Sequence, residues 1–284
     1  MVGTDGSPIS KVAVQWAARD AAMRNVSLTV VHVANGLVAA WSQTPIPAGF
    51  GAWQQQQGRR LLDDAVRIVE EATTGAGPAR VKTEMYYSAT VPTLVDMSKE
   101  AEMVVVGSHG QGAFGSLLGS VSMGVVHHAH CPVAVIRDDA PPMPNPAQVP
   151  VLVGIDGSPA SERATAIAFD EASRRRVDLI ALHAWSDTRM LDFPGVDWSA
   201  MKSSEDAVLA ERLAGWQERY PDVKIARLVV CDRPARQLIE HSESAQLVVV
   251  GSHGRGGFAG MLLGSVSMAV VQSARTPVIV ARQS

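Results

Sequence analysis

Short apolar runs punctuate the chain, and longer periodic stretches separate them. Residues 151–155, 246–250 and 278–280 are nearly continuous Val, Leu and Ile, and residues 177–184 and 223–230 are strand-like runs of the same kind. Short runs without regular polar alternation predict strands buried on both faces, as in a parallel sheet. Between them, residues 161–175 put Ala164, Ile167, Ala168 and Ala172 on one helical face. From Ser203 onward Leu209, Leu213, Trp216 and Tyr220 recur at steps of four, three and four, the helical period. Residues 234–242 predict a third helix, and the segment after Gly264 a fourth that stops before Pro277. Residues 185–202, with Pro194-Gly195, read as irregular. Strands and helices therefore alternate through five strands, an α/β domain with a parallel sheet and helices on both faces. The apolar stripes and most of the tryptophans are expected in the core.

The same pattern occurs twice. Met1-Val2-Gly3-Thr4-Asp5-Gly6-Ser7-Pro8 matches Leu152-Val153-Gly154-Ile155-Asp156-Gly157-Ser158-Pro159, and Leu28-Thr29-Val30-Val31-His32 matches Leu179-Ile180-Ala181-Leu182-His183. Cys131-Pro132-Val133 matches Thr276-Pro277-Val278, and the second-helix stripe of the first copy reads Leu61, Ala65, Ile68 and Ala72. Between the copies, residues 138–150 hold Pro141, Pro142, Pro144, Pro146 and Pro150, a density that stiffens an extended linker. The expected organisation is one domain over 1–137, a linker over 138–150 and a second domain over 151–284. The opening strand of the first copy is short, because the chain starts at Met1: either that strand is stunted, or the chain begins later than its relatives do.

Composition narrows the partners. The 284 residues carry a formal net charge of −3 and no long basic run, which argues against a nucleic-acid surface. Cys131 and Cys231 have no metal-binding spacing and fit a reducing compartment. With no secretory signal and no apolar stretch approaching ~18 residues, a cytoplasmic protein without a membrane span is expected.

The candidate chemistry lies in two glycine-rich loops. GSHGQGAFGSLLGS covers residues 107–120 and GSHGRGGFAGMLLGS covers 251–265, each directly after an apolar strand. In open parallel sheets ligands sit outside the carboxyl ends of the strands, where strand order reverses. Glycines admit close approach of a ligand to the backbone. The N–H groups of Gly264, Ser265 and Val266 at the following helix start suit a phosphate, with Ser265 as helix cap and hydroxyl donor. No lysine follows the glycines, so a P-loop is excluded. The GxGxx[GA] spacing at Gly110 and Gly254 does not sit in the first βα turn, where a dinucleotide fingerprint belongs. The other half of each site is the first βα turn, with Gly3 and Asp5 or Gly154 and Asp156. There the carboxylate either holds Mg²⁺ on a triphosphate, bonds a base, or serves only as a turn and cap residue. His109 and His253 either contact phosphate or line the turn.

These residues resemble the universal stress protein family, which carries an aspartate at the end of its first strand and a G-x2-G-x9-G-[ST] signature after its fourth. Gly251-x2-Gly254-x9-Gly264-Ser265 fits in full, and the resemblance covers nearly the whole chain. It implies two tandem open five-stranded parallel sheets in the order 3-2-1-4-5 and ATP binding. It implies that Gly251, Gly254, Arg255, Gly264, Ser265 and Val266 hold phosphates and ribose, with Asp156 and the backbone of Ala184 near the adenine. In the first copy the matches are Asp5, Val33, Gly107, Gly110, Gly119, Ser120 and Val121. That copy departs from the signature: eight residues separate Gly110 from Gly119, and Gln111 stands in place of Arg255. One missing residue re-aims an N–H by up to several ångströms, since consecutive Cα atoms lie ~3.8 Å apart.

His127-His128-Ala129-His130-Cys131 has the look of a metal cluster, but the second copy reads Gln272-Ser273-Ala274-Arg275-Thr276 there. Histidines at a helix end also suit the negative end of its dipole. Two functions follow: a nucleotide-dependent regulator of stress response or growth with slow or no hydrolysis, or an ATPase or adenylating enzyme on the same fold. The first is favoured, because the loops lack a lysine and the first βα turn lacks a double glycine. The fifth strands would be sheet edges. The family pairs them between domains, which implies a pseudo-dimer of the two copies, with a homodimer of the whole chain and an unidentified protein partner as further expectations.

Overall fold

Short apolar segments, many rich in valine, form the strands, and a helix follows each of the first four strands of a unit. The computed structural model describes residues 1–34, 49–75, 80–110, 118–137, 148–185, 198–256 and 262–282. The chain divides into two compact units near residue 138. In the first, the order is β1 (Val2–Gly3), α1 (Pro8–Arg24), β2 (Leu28–Ala34), α2 (Phe50–Ala72), β3 (Val81–Tyr87), α3 (Thr90–Met97), β4 (Val104–Gly107), α4 (Ser120–His128) and β5 (Val133–Ile136). In the second it is β6 (Val151–Gly154), α5 (Pro159–Arg175), β7 (Leu179–Ala184), α6 (Trp198–Arg219), β8 (Ile225–Val230), α7 (Pro234–Ser242), β9 (Leu247–Gly251), α8 (Ser265–Ser273) and β10 (Val278–Ala281).

Every pairing within a unit is parallel. β1 lies between β2 and β4, β3 flanks β2 and β5 flanks β4, giving the order 3-2-1-4-5. β6 lies between β7 and β9, with β8 and β10 outside them, the same order. Strand order therefore reverses between β1 and β4 and between β6 and β9, and a crevice opens at the carboxyl ends there. The sheet interior is apolar on both faces: Val2, Val30, Val104, Val133 and Ala134 are fully buried, as are Leu152, Val153, Leu179, Val248 and Ile279.

Serine caps and proline start the first helix of each unit. The Ser7 and Ser158 hydroxyls accept from the N–H groups of Ser10 at 3.3 Å and Ser161 at 3.2 Å, with Pro8 and Pro159 opening the helices. Both helices end on a left-handed residue, Asn25 at φ 54° and Arg176 at φ 55°, whose N–H closes the last turn.

Some sequence expectations need correction. The buried face of α2 carries Leu62, Ala65 and Val69, one residue on from Leu61 and Ile68, because Leu61 instead covers Gly6 at the first βα turn. Helix α6 starts at Trp198, before Ser203. Among the tryptophans whose side chains are described none is fully buried: Trp53 is 55% exposed, and Trp16, Trp185 and Trp216 are half-buried. The space between sheet and helices is filled by Val, Leu and Ala, so indoles fall to the rims; Trp216 stacks on Phe169 with centroids 5.8 Å apart. Residues 138–147 of the proline-rich segment and 186–197 of the irregular stretch lie outside the described residues. No described helix is long and apolar enough to cross a membrane.

Candidate functional site

Each crevice is closed below by strand ends and laterally by two βα turns. In the first turn the Asp5 and Asp156 Oδ1 atoms accept from the N–H groups of Ser7 and Ser158, both at 2.9 Å, an Asx turn. Gly6 and Gly157 sit in that turn at φ +80° and +78°, which only glycine adopts without strain. The turn's remaining N–H is satisfied differently in the two copies. Gly6 donates to Thr4 Oγ1 at 3.3 Å, whereas Ile155 has no hydroxyl and Gly157 donates to Ser161 Oγ at 3.1 Å.

The glycine loop forms the other lip. A Cβ on Gly110 would lie 2.6 Å from Asp5 Oδ2, and one on Gly254 2.7 Å from Asp156 Oδ2. These glycines bring the loop backbone against the carboxylate. In the second copy Arg255 completes the contact: its N–H donates to Asp156 Oδ2 at 3.1 Å and its Nε to the Asp156 carbonyl. The position of Gln111 lies outside the described residues. Gly107 and Gly251 serve packing. Their missing Cβ atoms face α1 and α5, 3.1 Å from Ile9 and 2.8 Å from the Ala160 carbonyl carbon.

The helix starts correct two expectations. Gly264 donates its N–H to Ser252 O at 2.7 Å, and Gly119 donates to Ser108 O at 2.7 Å, so neither offers it to a ligand. Gly119 and Gly264 are the N-caps of α4 and α8 and no side chain caps either helix; Ser120 and Ser265 are the first helical residues, with exposed hydroxyl-bearing side chains. Three N–H groups remain without an intrahelical acceptor in each helix, those of residues 120–122 and 265–267. They point out of a helix terminus that carries partial positive charge. Ser122 and Ser267 lock the terminus by donating to Gly107 O at 2.6 Å and Gly251 O at 2.5 Å. Both anchoring bonds recur in both copies, so the shorter loop delivers its helix to the same place relative to the strand, and the difference in length falls between the anchors.

The structure brings the candidate residues together. Gly3, Asp5, Val33, Gly107, His109 and Gly110 line a cleft of about 420 Å³ with Gly119, Ser120 and Val121. Gly154, Asp156, Ala184, Gly251, His253 and Gly254 line one of about 430 Å³ with Arg255, Gly264, Ser265 and Val266. His109 and His253 reach it with Nδ1 3.0 Å from the hydroxyls of Ser108 and Ser252, which fixes the ring plane. His183, buried on β7, places Nδ1 2.6 Å from the Ile155 carbonyl and Nε2 3.2 Å from Glu205, tying the β7 and β6 ends together; His32 does the same to Thr4 O at 2.9 Å.

Sequence reasoning missed several lining residues. Thr90 and Leu94 of α3 line a wall of the first cleft, and Pro234 and Leu238 of α7 the matching wall of the second; only the leucine is common to the two copies. Ser122 and Ser267 had a signal, since Ser-Val-Ser follows the last loop glycine in both copies. No group of three or more His, Cys, Asp or Glu among the described residues could hold a metal. His127 and His128 occupy the last turn of α4, where they meet the helix dipole. For Mg²⁺ the donor set of each cleft is one carboxylate, Asp5 with Oδ1 accepting a backbone N–H and Asp156 with each oxygen accepting one. That fits an ion arriving on a nucleotide, which needs one or two protein carboxylates beside phosphate oxygens, and not a self-standing metal centre.

The model of the universal stress protein family matches residues 1–137 and 150–282. Universal stress protein Rv2623 of Mycobacterium tuberculosis is 61% identical over 285 residues, spanning 100% of this chain and 96% of that protein. Universal stress protein Rv2005c of the same organism is 60% identical over 285 residues, spanning 100% and 97%. A crystal structure of a universal stress protein from Archaeoglobus fulgidus superposes with a TM-score of 0.69 at 22% identity, covering 100% of this chain and 96% of that one; at that identity the likeness concerns the fold.

Proposed function

The chain belongs to the universal stress protein family as a tandem of two family domains, and from that premise we propose that it binds one ATP in each cleft and acts as a nucleotide-dependent regulator. The observation that carries this reading is the pairing, in each cleft, of a three-donor helix terminus with an aspartate on the opposite lip. Phosphates take the N–H groups at α4 or α8, and the hydroxyl of Ser120 or Ser265 adds a donor. Asp5 and Asp156 face the nucleoside or hold, through one carboxylate oxygen, the Mg²⁺ that a triphosphate carries. That ion would neutralise phosphate charge. Val33 and Ala184 border the far end.

Slow or absent hydrolysis follows from the lining. Neither cleft holds a lysine among its described residues, and the one carboxylate in each is engaged in its turn, so neither a lysine nor an unengaged carboxylate serves phosphoryl transfer there. Occupancy then sets association with a protein partner or a second copy of the chain.

Mass spectrometry of ligand released from native protein, with equilibrium dialysis of ATP, tests the reading. Two adenine nucleotides per chain are expected. No retention and no binding would make the clefts vestigial, and turnover near ~10 s⁻¹ would make the protein an enzyme.

A further inference from the structure

We infer that Trp185 is the base-recognition residue of the second cleft, a stacking platform that the first cleft lacks, so that the chain carries two nucleotide sites of unequal affinity. This rests on the reading of both clefts as adenine-nucleotide sites.

Trp185 directly follows β7, and its N–H donates to Val230 O at 3.2 Å. The ladder thus runs one residue past β7 and pins the Trp185 backbone at the carboxyl edge of the sheet. β7 lies on the side of β6 away from β9, and α8 follows β9. Trp185 therefore stands at the end of the cleft opposite the α8 terminus. A ligand whose phosphates take the N–H groups of α8 extends its other end, the base, toward this side chain.

The surroundings suit an aromatic ring. Trp185 shares the wall with Leu182, Ala184, Pro234 and Leu238, and its side chain is half-buried. Aligning His32 with His183 puts Ala34 where Trp185 stands. Ala34 is 7% exposed and does not line the first cleft. Two further wall positions change in the same sense, Thr4 to Ile155 and Thr90 to Pro234. Among the described residues lining either cleft, Trp185 is the one Trp, Tyr or Phe. An indole that lines a cleft and is only half-buried gains by being covered with a purine, and stacking of a base on an aromatic side chain changes affinity by roughly ten- to a hundredfold when the ring is removed.

Equilibrium dialysis of the full chain with ATP and, separately, with inorganic tripolyphosphate tests this in the wild type, Trp185→Ala and Trp185→Phe. The wild type is expected to show two classes of ATP site. Trp185→Ala should weaken one class by about ten- to a hundredfold and leave the other unchanged, with tripolyphosphate binding intact. Trp185→Phe, which restores a ring, should recover most of the loss. If Trp185→Ala leaves both classes unchanged, the inference is wrong. If it weakens tripolyphosphate as much as ATP, Trp185 supports the cleft wall and does not grip a base. A wild type that binds neither ligand refutes the nucleotide reading itself, and this inference with it.

Discussion

Eight residues separate Gly110 from Gly119 in the first loop and nine separate Gly254 from Gly264 in the second, yet both loops end on the same bond, a glycine N–H on a serine carbonyl at 2.7 Å. The serine hydroxyl two residues into each helix also reaches the same strand-end glycine carbonyl. Two buried bonds of this kind contribute about 0.5–1.5 kcal/mol each and fix the helix terminus whatever the loop between them does. The copies diverge elsewhere, in the walls and in charge. Thr4, Ala34 and Thr90 of the first copy correspond to Ile155, Trp185 and Pro234 of the second, and only the second loop places a guanidinium on its aspartate. The helix end of each cleft, held by backbone, tolerates a deletion; the opposite end, built from side chains, is where two copies of one fold become different sites.

Substitutions at the strand-end glycines break the symmetry of the frame most strongly. A Cβ on Gly251 would meet the Ala160 backbone, 2.8 Å from its carbonyl carbon and 2.9 Å from its oxygen, so α5 must move. On Gly107 the nearest atom, at 3.1 Å, is Ile9 Cγ1, with backbone at 3.3 Å, and a side chain can turn away. Gly251→Ala is expected to destabilise the second domain by about 1–3 kcal/mol, and Gly107→Ala to cost the first domain less. Hydrogen exchange read domain by domain under increasing denaturant checks this; equal losses would mean that the two strand–helix contacts are equivalent.

The next effect falls on ligand affinity. Alanine at Gly254 or Gly110 would push on the tip of a carboxylate, Asp156 or Asp5, at 2.7 or 2.6 Å. The side chain can yield, so folding survives while the acid leaves its place. About a tenfold loss of nucleotide affinity, ~1.4 kcal/mol, is expected at the substituted cleft alone. Gly264→Ala makes the instructive contrast. Its Cβ would sit 3.4 Å from His253 Cα, an ordinary contact, and near-wild-type binding by calorimetry is expected. A large loss there would restore Gly264 as a point of close approach to phosphate.

That contrast shows what the sequence could and could not tell. The alternation of strands and helices and the place of both clefts followed from buried-strand runs and from a loop repeated at the same place, because periodicity and strand-end glycines are local features; the strand order came only with the family resemblance. The role of each glycine did not follow. Gly251 packs a helix, Gly254 admits an aspartate and Gly264 spends its N–H on Ser252, and those differences depend on which neighbour arrives from a hundred residues away. The α3 and α7 walls were illegible for a related reason: Thr90 and Pro234 face the cleft by topology, with no common residue type.

Arg255→Gln gives the second loop the residue found in the first. The backbone N–H to Asp156 survives, so only the guanidinium is lost. A roughly three- to tenfold weaker second site is expected, with a shallower dependence on salt, as for removal of one exposed cation near phosphate. The first site, titrated in the same protein, is the internal control. Unchanged salt dependence would confine Arg255 to holding the Asp156 turn.

The smallest effect lies behind the second cleft, where polar links fasten α6 to the sheet. Glu205 meets His183, and Arg227 grips Asp206 through two bonds at 3.0 and 3.1 Å. Opposite His32 stands Gly58, covered by Met85. The hydrogen bonds from Arg227 hold the Asp206 carboxyl below its ordinary value of 3.8. A carboxyl whose folded value is depressed stabilises the fold fully above the unfolded value and loses that contribution as pH falls through the folded one. The link is therefore intact at neutral pH and fails only below 3.8. Asp206→Asn should lower the thermal midpoint of the second domain slightly at pH 7, within the small range of exposed ion pairs. It should also bring the neutral and acid midpoints of that domain closer together, with Trp216 emission as the probe. A first domain that shifted equally would show that the link acts beyond the domain that contains it.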